Sequence, residues 1–461
     1  MGNWFAYITL ALWPMISVAL FLKKSVQTAV LWTLLGGFLL LPVGTSVDLP
    51  MIPALGKHTI PALSAFVGCR FVAHRRIDLL RIPGLLRGLF LLFMFSPFIT
   101  AELNGDTFFV GGRVLQGMSH YDALSAIVAQ FILISPFFLG RQFFRTYHDQ
   151  LLLFKNLALS GLGYSILMLL EMRVSPQLHT WIYGYFPHSF LQQVRYGGYR
   201  PVVFIGHGLL VAFFTYTSAN SACIAWQVKE KIHRYSSAKV TGYLLFLLVL
   251  CKSAGAIMYG FTAFFLIKFA SIKTQLRVVT LLVSLALLYP TMSIMNIFPH
   301  QALLEWTASI DADRAGSMGV RFDNEHMLLE HGRNRFFFGW GSWGRNRVYN
   351  ADTGKDDTVT DGRWVITFSQ YGWLGFIAEF GLLALPVFKA VSASKLSRSK
   401  KEQAMLSGHA ILICFIIIDQ LPNASLSPWL WLLVGILQGR SEAITQIYRN
   451  EKRLATLQPK E

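Results

Sequence analysis

The chain reads as an all-α, polytopic transmembrane helix bundle of about 12–13 spans, and three observations predict it. Hydrophobic residues make up 54% of its 461 positions and charged residues only 14%, against about 25% charged in a soluble domain. The apolar residues stand in continuous blocks such as Trp4–Leu22, Ala29–Leu41 and Val240–Cys251, approaching the length a helix needs to cross about 30 Å of hydrocarbon. Basic residues gather in short clusters after alternate blocks, the bias of loops that stay on the cytoplasmic side. Length alone would allow two or three soluble domains; the composition instead gives a single membrane domain over 1–461.

Taken in order, spans are expected at 4–22, 27–45, 58–73, 83–101, 123–140, 151–170, 201–222, 240–252, 254–270, 278–294, 364–388, 405–420 and 426–439. The first lacks a basic leader, and Lys23-Lys24 follows it where a cleavage site would need small residues; it is expected to be a retained span, not a signal peptide. Basic clusters then mark alternate ends: Lys23-Lys24; Arg75, Arg76 and Arg81; Arg141 and Arg145; Lys229 to Lys239; Lys273 and Arg277; Lys395 to Lys401; and Arg440 onward. This puts the 440–461 tail in the cytoplasm. Thirteen spans place the N-terminus outside, and twelve would place it inside.

The net charge of +17 does not read as nucleic-acid binding, because the cations lie between spans and no basic face carries interleaved aromatics for base stacking. Cys69, Cys223, Cys251 and Cys414 lie in or beside apolar blocks without metal-ligand spacing, so buried free thiols are expected.

Three outward connections are long: about 101–122, 171–200 and 295–363. Ordered loops of such length are usually functional. Within the largest, Arg321–His331 predicts a short helix, with Asp323 and Glu325 in its first turn and Gly332 as its stop. Gly339-Trp340-Gly341-Ser342-Trp343-Gly344 matches G-x-G-x-x-G, but a dinucleotide site needs a strand before it and a βαβ unit around it. Neither fits a loop between spans. Trp340 and Trp343 have two compatible readings, an interfacial aromatic belt and a platform for sugar rings.

Arginine is dense in the two later loops: Arg195 and Arg200 flank Tyr-Gly-Gly-Tyr, and Arg314, Arg321, Arg333, Arg335, Arg345 and Arg347 occupy the largest. Its planar fork grips phosphate oxygens in pairs and stays charged, which suits a lipid-linked phosphate or pyrophosphate. A salt network with Asp311, Asp313, Asp323, Glu325 and Glu330, or snorkelling to headgroups, is the plainer alternative for any one of them. Asp352, Asp356 and Asp357 read as solvated loop acids, whereas Asp361 stands next to the span starting near Trp364. Mid-span Glu379 is costly in lipid and should face the interior with a partner. His207 reads equally as a packed histidine or as a group facing ligand.

Gly197-Gly198-Tyr199-Arg200-Pro201, the turn at Lys252-Ser253, Arg321, Phe337-Phe-Gly-Trp-Gly-Ser-Trp-Gly344 and Gln370-Tyr-Gly-Trp-Leu-Gly375 resemble, in that order, the O-antigen ligase and polymerase superfamily of bacterial envelope polysaccharide assembly. The similarity spans about residues 150–440; the first third matches in hydropathy alone. The resemblance implies a GT-C-like membrane glycosyltransferase of the bacterial inner membrane with one large periplasmic loop, acting on sugars carried by undecaprenyl pyrophosphate. By position, Arg200 and Arg321 would hold the pyrophosphate, with Arg195 and Arg345 as further candidates. Ligases of this kind carry a histidine shortly before the span after the large loop; Asp361-Gly362 stands there instead, which favours a polymerase of exopolysaccharide or O-antigen repeats. A ligase attaching finished polymer to an acceptor and a flippase of lipid-linked sugar are the alternatives. Asp361 is the first candidate to activate the acceptor hydroxyl, then Asp323 or His326. Arginines neutralising the leaving group leave no need for a metal or a cofactor. Expected partners are the lipid-linked oligosaccharide, membrane lipid, and chain-length-control and export proteins.

Overall fold

The computed structural model describes residues 2–49, 52–79, 81–195 and 197–457, with the side chains of Asp313, Arg314, Ser317 and Leu457 and all of Tyr196 outside the described residues. It is overwhelmingly helical. In chain order the helices are α1 (Trp4–Lys23), α2 (Val26–Leu40), α3 (Thr59–Val67, continued as a π turn, Gly68–Val72), α4 (Gly84–Glu102), α5 (His120–Phe143), α6 (Tyr147–Val174), α7 (Leu178–Tyr183) and α8 (Gly208–Gln227). They continue with α9 (Ser237–Leu250), α10 (Ala254–Phe269), α11 (Ile272–Ile294), α12 (His300–Ile310), α13 (Ala312–Arg333), α14 (Arg363–Leu396), α15 (Lys400–Asp419) and α16 (Pro428–Leu457). Among the described residues, strand is confined to three antiparallel pairs: Ser46–Leu49 with Ile52–Gly56, Phe108–Val110 with Arg113–Leu115, and Val194–Arg195 with Gly198–Tyr199. Among the described residues, eight helices are long and apolar enough to cross a membrane, and four shorter apolar helices stand beside them. The protein is a multi-pass membrane protein.

Every expected span coincides with a helix, and the differences have local causes. The segment from residue 201 does not become helical until Gly208, because the buried Glu171 carboxylate accepts the Val202 and Val203 amides, both at 2.7 Å. The expected short helix at 321–331 is part of the longer α13: Gly316 and Gly319 are carried inside the helix, at a cost of about 1 kcal/mol each. After residue 439 the expected tail stays helical to Leu457, since Arg, Glu, Ala, Gln, Lys and Leu are good helix formers. Ser119 with Asp122 and Thr146 with Asp149 form capping boxes that start α5 and α6. All four cysteines are free and buried.

The interior is built on α8 and α15, buried on almost every face, with α14 and the first half of α16 beside them. Small residues bring helices together. Gly435 and Gly439, four apart on α16, lie against α5 so closely that an added Cβ would come 2.0 Å from the Phe137 carbonyl and 2.1 Å from that of Arg141. Outward residues such as Phe95, Ile166, Phe246 and Met258 are apolar and exposed, as a lipid-facing surface must be.

The three long connections meet at one end of the bundle. Arg335 and Arg345 of the largest bond Asp106 of the first, while Arg200 and Arg321 line one cavity. Asn3 is also at this end, its amide bonded to the Tyr183 carbonyl. The last turns of α5 meet α16 at the opposite end, through Arg141 and Glu442 at 2.9 Å. Asn3 and the end of α5 with its partner on α16 therefore stand at opposite ends of the bundle.

Candidate functional site

The site begins with a break in a helix. Gly372, inside α14, has φ +67 and ψ −166, which interrupts the hydrogen-bond ladder in the apolar interior, where unpaired backbone groups are costly. The loop Phe336–Gly341 fills the gap. Trp340 and Gly341 amides donate to the Ser369 and Gln370 carbonyls at 2.9 Å each, and the Trp373 amide donates to the Phe336 carbonyl at 2.7 Å. The fit needs glycine on both sides: a Cβ on Gly372 would sit 2.2 Å from the Phe337 carbonyl carbon, and one on Gly339 would sit 2.5 Å from that of Gln370. The glycine motif and Gln370–Gly375 are thus two halves of one backbone lock. It anchors the large loop over the start of α14.

The lock sets the ends of α13 and α14 around a cleft of two adjoining cavities, about 340 Å³ and about 170 Å³, that share Arg321 and Pro422. The larger is mainly apolar, walled by Tyr289, Phe298, Leu303, Phe322 and Trp364, with Arg321, Asn324, Glu325 and Asp361 as its polar groups. The smaller holds Arg200, Ser253, Tyr259, Arg321, Asp419 and Asn423. Arg321 and Asp361 are about half exposed and stand 3.7 Å apart. A pair so long and wet is worth at most about 1 kcal/mol, so Arg321 can turn to an anion at little cost. Arg200 is held by two hydrogen bonds to the Lys252 carbonyl, 3.1 and 2.8 Å. Asp419 accepts from Asn423 and Ser425 at 2.8 and 2.7 Å.

Glu325 is the group that the sequence reading passed over, as a first-turn acid or a member of a salt network. Both of its oxygens accept from the Tyr289 hydroxyl, at 2.8 and 2.7 Å, and His300 Nε2 stands 3.5 Å away. Burial pushes its carboxyl up to about 7, while hydrogen bonds from Tyr289 and Ser293 hold it back. Burial, then the neighbouring His326, lowers His300, partly offset by a backbone hydrogen bond at Phe298. A carboxyl pushed towards neutrality inside a cleft, one turn from an arginine, is of the kind that can take up and release a proton. Only its spacing four residues after Arg321, on one helix face, was visible beforehand.

The remaining candidates stand elsewhere. Asp323 and His326 are exposed and line neither cavity. Arg195 sits exposed on its hairpin, its carbonyl accepting from Lys252 Nζ at 2.9 Å. Arg345 is fully buried, binding the carbonyls of Asp106 and Gln116 and the Asp106 carboxylate over the Phe108 ring. Although desolvation works the other way, Arg335 and Arg345 together lower the Asp106 carboxyl below its ordinary range. Arg333 binds the Ser293 and Ile294 carbonyls, and Arg347 pairs with Asp356. Among the described contacts, Arg333, Arg335, Arg345 and Arg347 are held by backbone carbonyls, Asp106 and Asp356, and not by the acids expected. Arg314 lies outside the described side chains. Trp340 is half-buried, with the His331 ring stacked at 4.3 Å and the Arg335 guanidinium 4.4 Å from its centre. Trp343 is exposed and donates to Asp122 at 3.0 Å. His207 caps α8, accepting the Leu209 amide at 3.1 Å; burial, then His188 and Arg200, push its imidazole down to about 4. Glu379 has its partner: Arg363 contacts both oxygens, at 2.7 and 3.1 Å, with Thr367 beside them.

No family model matches the chain, and no curated protein matches it.

Proposed function

We propose that the protein is a membrane glycosyltransferase of the bacterial inner membrane, polymerising undecaprenyl-pyrophosphate-linked oligosaccharide repeats into exopolysaccharide or O-antigen at the outer face. The observation that carries this reading is the convergence of Arg200 and Arg321, from two separate loops, on one cleft with Glu325 and Asp361 beside them. Two cations beside carboxylates suit a reaction whose leaving group is a pyrophosphate and whose nucleophile is a hydroxyl.

In the proposed step, the acceptor hydroxyl attacks the anomeric carbon, and the bond from that carbon to the pyrophosphate oxygen breaks. Glu325 takes the hydroxyl proton, its carboxyl near 7 being matched to the task. Arg200 and Arg321 take up the charge on the departing lipid pyrophosphate. Asp361 holds Arg321 in the resting cleft and releases it to the ligand. The apolar wall of Phe298, Leu303 and Phe322 suits the first isoprene units. A GT-C-like architecture, a periplasmic position for the large loop and inversion at the anomeric carbon belong to the same reading.

A transporter would place a broken helix at its substrate site. Here the break at Gly372 is closed by loop backbone and offers nothing to a substrate, so the polymerase is preferred. The test is the lipid-linked glycan that accumulates when the gene is deleted. Single repeats on the outer leaflet are expected; long unattached polymer would mean a ligase, and repeats trapped inside would mean a flippase.

A further inference from the structure

At the end of the bundle away from the cleft lies the largest of the described cavities, about 1280 Å³, between the start of α4, the ends of α5 and α14, and the extension of α16. Of the side chains lining it, eight are lysine or arginine and one, Glu442, is acidic. Glu442 is already taken by Arg141, at 2.9 Å. Arg145 donates to Gln446 at 3.1 Å, so α16 fixes part of the wall. Arg449, Lys452 and Arg453 are exposed on the α16 extension and make no ion pair among the described residues. Such a wall repels itself unless an anion sits in it.

Depth identifies the anion. Lys389 and Ser392 belong to the floor, and Lys389 stands seven residues before the last residue of α14, Leu396, roughly 10 Å along the axis at about 1.5 Å per residue. The groove therefore runs from the helix ends into the bundle, where lipid headgroups lie. Loose snorkelling cations would give a bias of charge on this side; here the cations from four helices line one open groove. Ile82 and Pro83 at its edge offer an apolar margin for the start of an acyl chain. Basic pockets between membrane helices take phosphate headgroups in this way.

We propose that this groove is a phosphate site at headgroup depth, filled by an anionic lipid of the leaflet on that side. The site is separate from the cleft and does not depend on the reaction assigned there. Its role is to seat the α16 extension against α4 and α14 in an anionic membrane.

The full-length protein, purified and reconstituted in zwitterionic nanodiscs, would be titrated with phosphatidylglycerol, binding being followed by native mass spectrometry. Wild type is compared with the triple variant Arg449→Ala, Lys452→Ala, Arg453→Ala, whose positions are exposed and leave the core intact. The control, Lys229→Ala, Lys231→Ala, Arg234→Ala, removes the same charge from another basic cluster. The groove variant should bind phosphatidylglycerol on the order of tenfold to a hundredfold more weakly, at roughly 1 kcal/mol per cation near an anionic surface, with the control unchanged. Displacement by inorganic pyrophosphate at equal phosphate would keep the phosphate site and make its source a soluble anion. Equal binding by the groove variant and the control would overturn the proposal.

Discussion

Replacing Tyr289 by phenylalanine removes one oxygen, and with it a hydroxyl that touches both oxygens of Glu325. That hydrogen bond favours the ionised carboxylate, so its loss must raise a carboxyl that burial already holds near 7. A hydrogen bond to a charged group is worth roughly 1.5–3 kcal/mol. Because one proton is shared between two oxygens, the low end applies, which moves the midpoint to about 8 at about 1.4 kcal/mol per pH unit. At pH 7 the ionised fraction then drops from about one half to about one tenth, and turnover should fall about fivefold. It should recover at pH 9. The assay is initial polymerisation rate against pH for purified protein on a lipid-linked repeat, with variant and wild type at matched protein level. Loss that persists at pH 9, or an unmoved midpoint, would refute Glu325 as the base and leave the phenol a packing role.

Stability supplies an independent check on the same group. A carboxyl raised from about 4.5 to about 7 in the fold favours the protonated native state. Its contribution is full below about 4.5 and is lost as pH rises to about 7. The gap amounts to about 3 kcal/mol. Glu325→Gln should therefore lose about 10²–10⁴-fold in turnover yet melt no lower than wild type at pH 8, and a lower melting temperature there would contradict this assignment. Arg200→Lys and Arg321→Lys keep the charge but lose the fork and should stay impaired in polymer yield, whereas near-normal polymer from both Arg→Ala variants would remove the pyrophosphate clamp. Glu379→Gln strands Arg363 in the interior and should cost about 3–5 kcal/mol, read as thermal stability in detergent. Gly372→Ala should prevent accumulation of folded protein, since its Cβ meets backbone at 2.2 Å; a normal melting curve would show that the lock can yield. Cysteines placed at the exposed Ser189 and Thr353 in a cysteine-free background should react with an impermeant thiol reagent in intact cells, and those at Ser236 and Ser399 should not.

Class and layout were legible because lipid imposes constraints that composition cannot hide. Uninterrupted apolar blocks have few alternatives to spanning helices, and basic clusters alternate because cations are held on one side. Residue type alone does not separate Arg200 and Arg321 from the other outward arginines; their positions in the resemblance to the ligase and polymerase superfamily single them out. Other parts depended on neighbours distant in the chain. Burial by Phe298, Phe322 and Trp364 around Glu325, and the hydroxyl of Tyr289 on another helix, turn an ordinary first-turn acid into a group titrating near neutrality. Arg345 and Trp340 look like ligand groups in a linear sequence, but Asp106, His331 and Arg335 occupy them. The glycine motif shows its purpose only against Gly372, because the backbone bonds it supplies are those that a helix break has freed. Residue type sets what a side chain can do, and packing sets its pKa, its partners and its exposure.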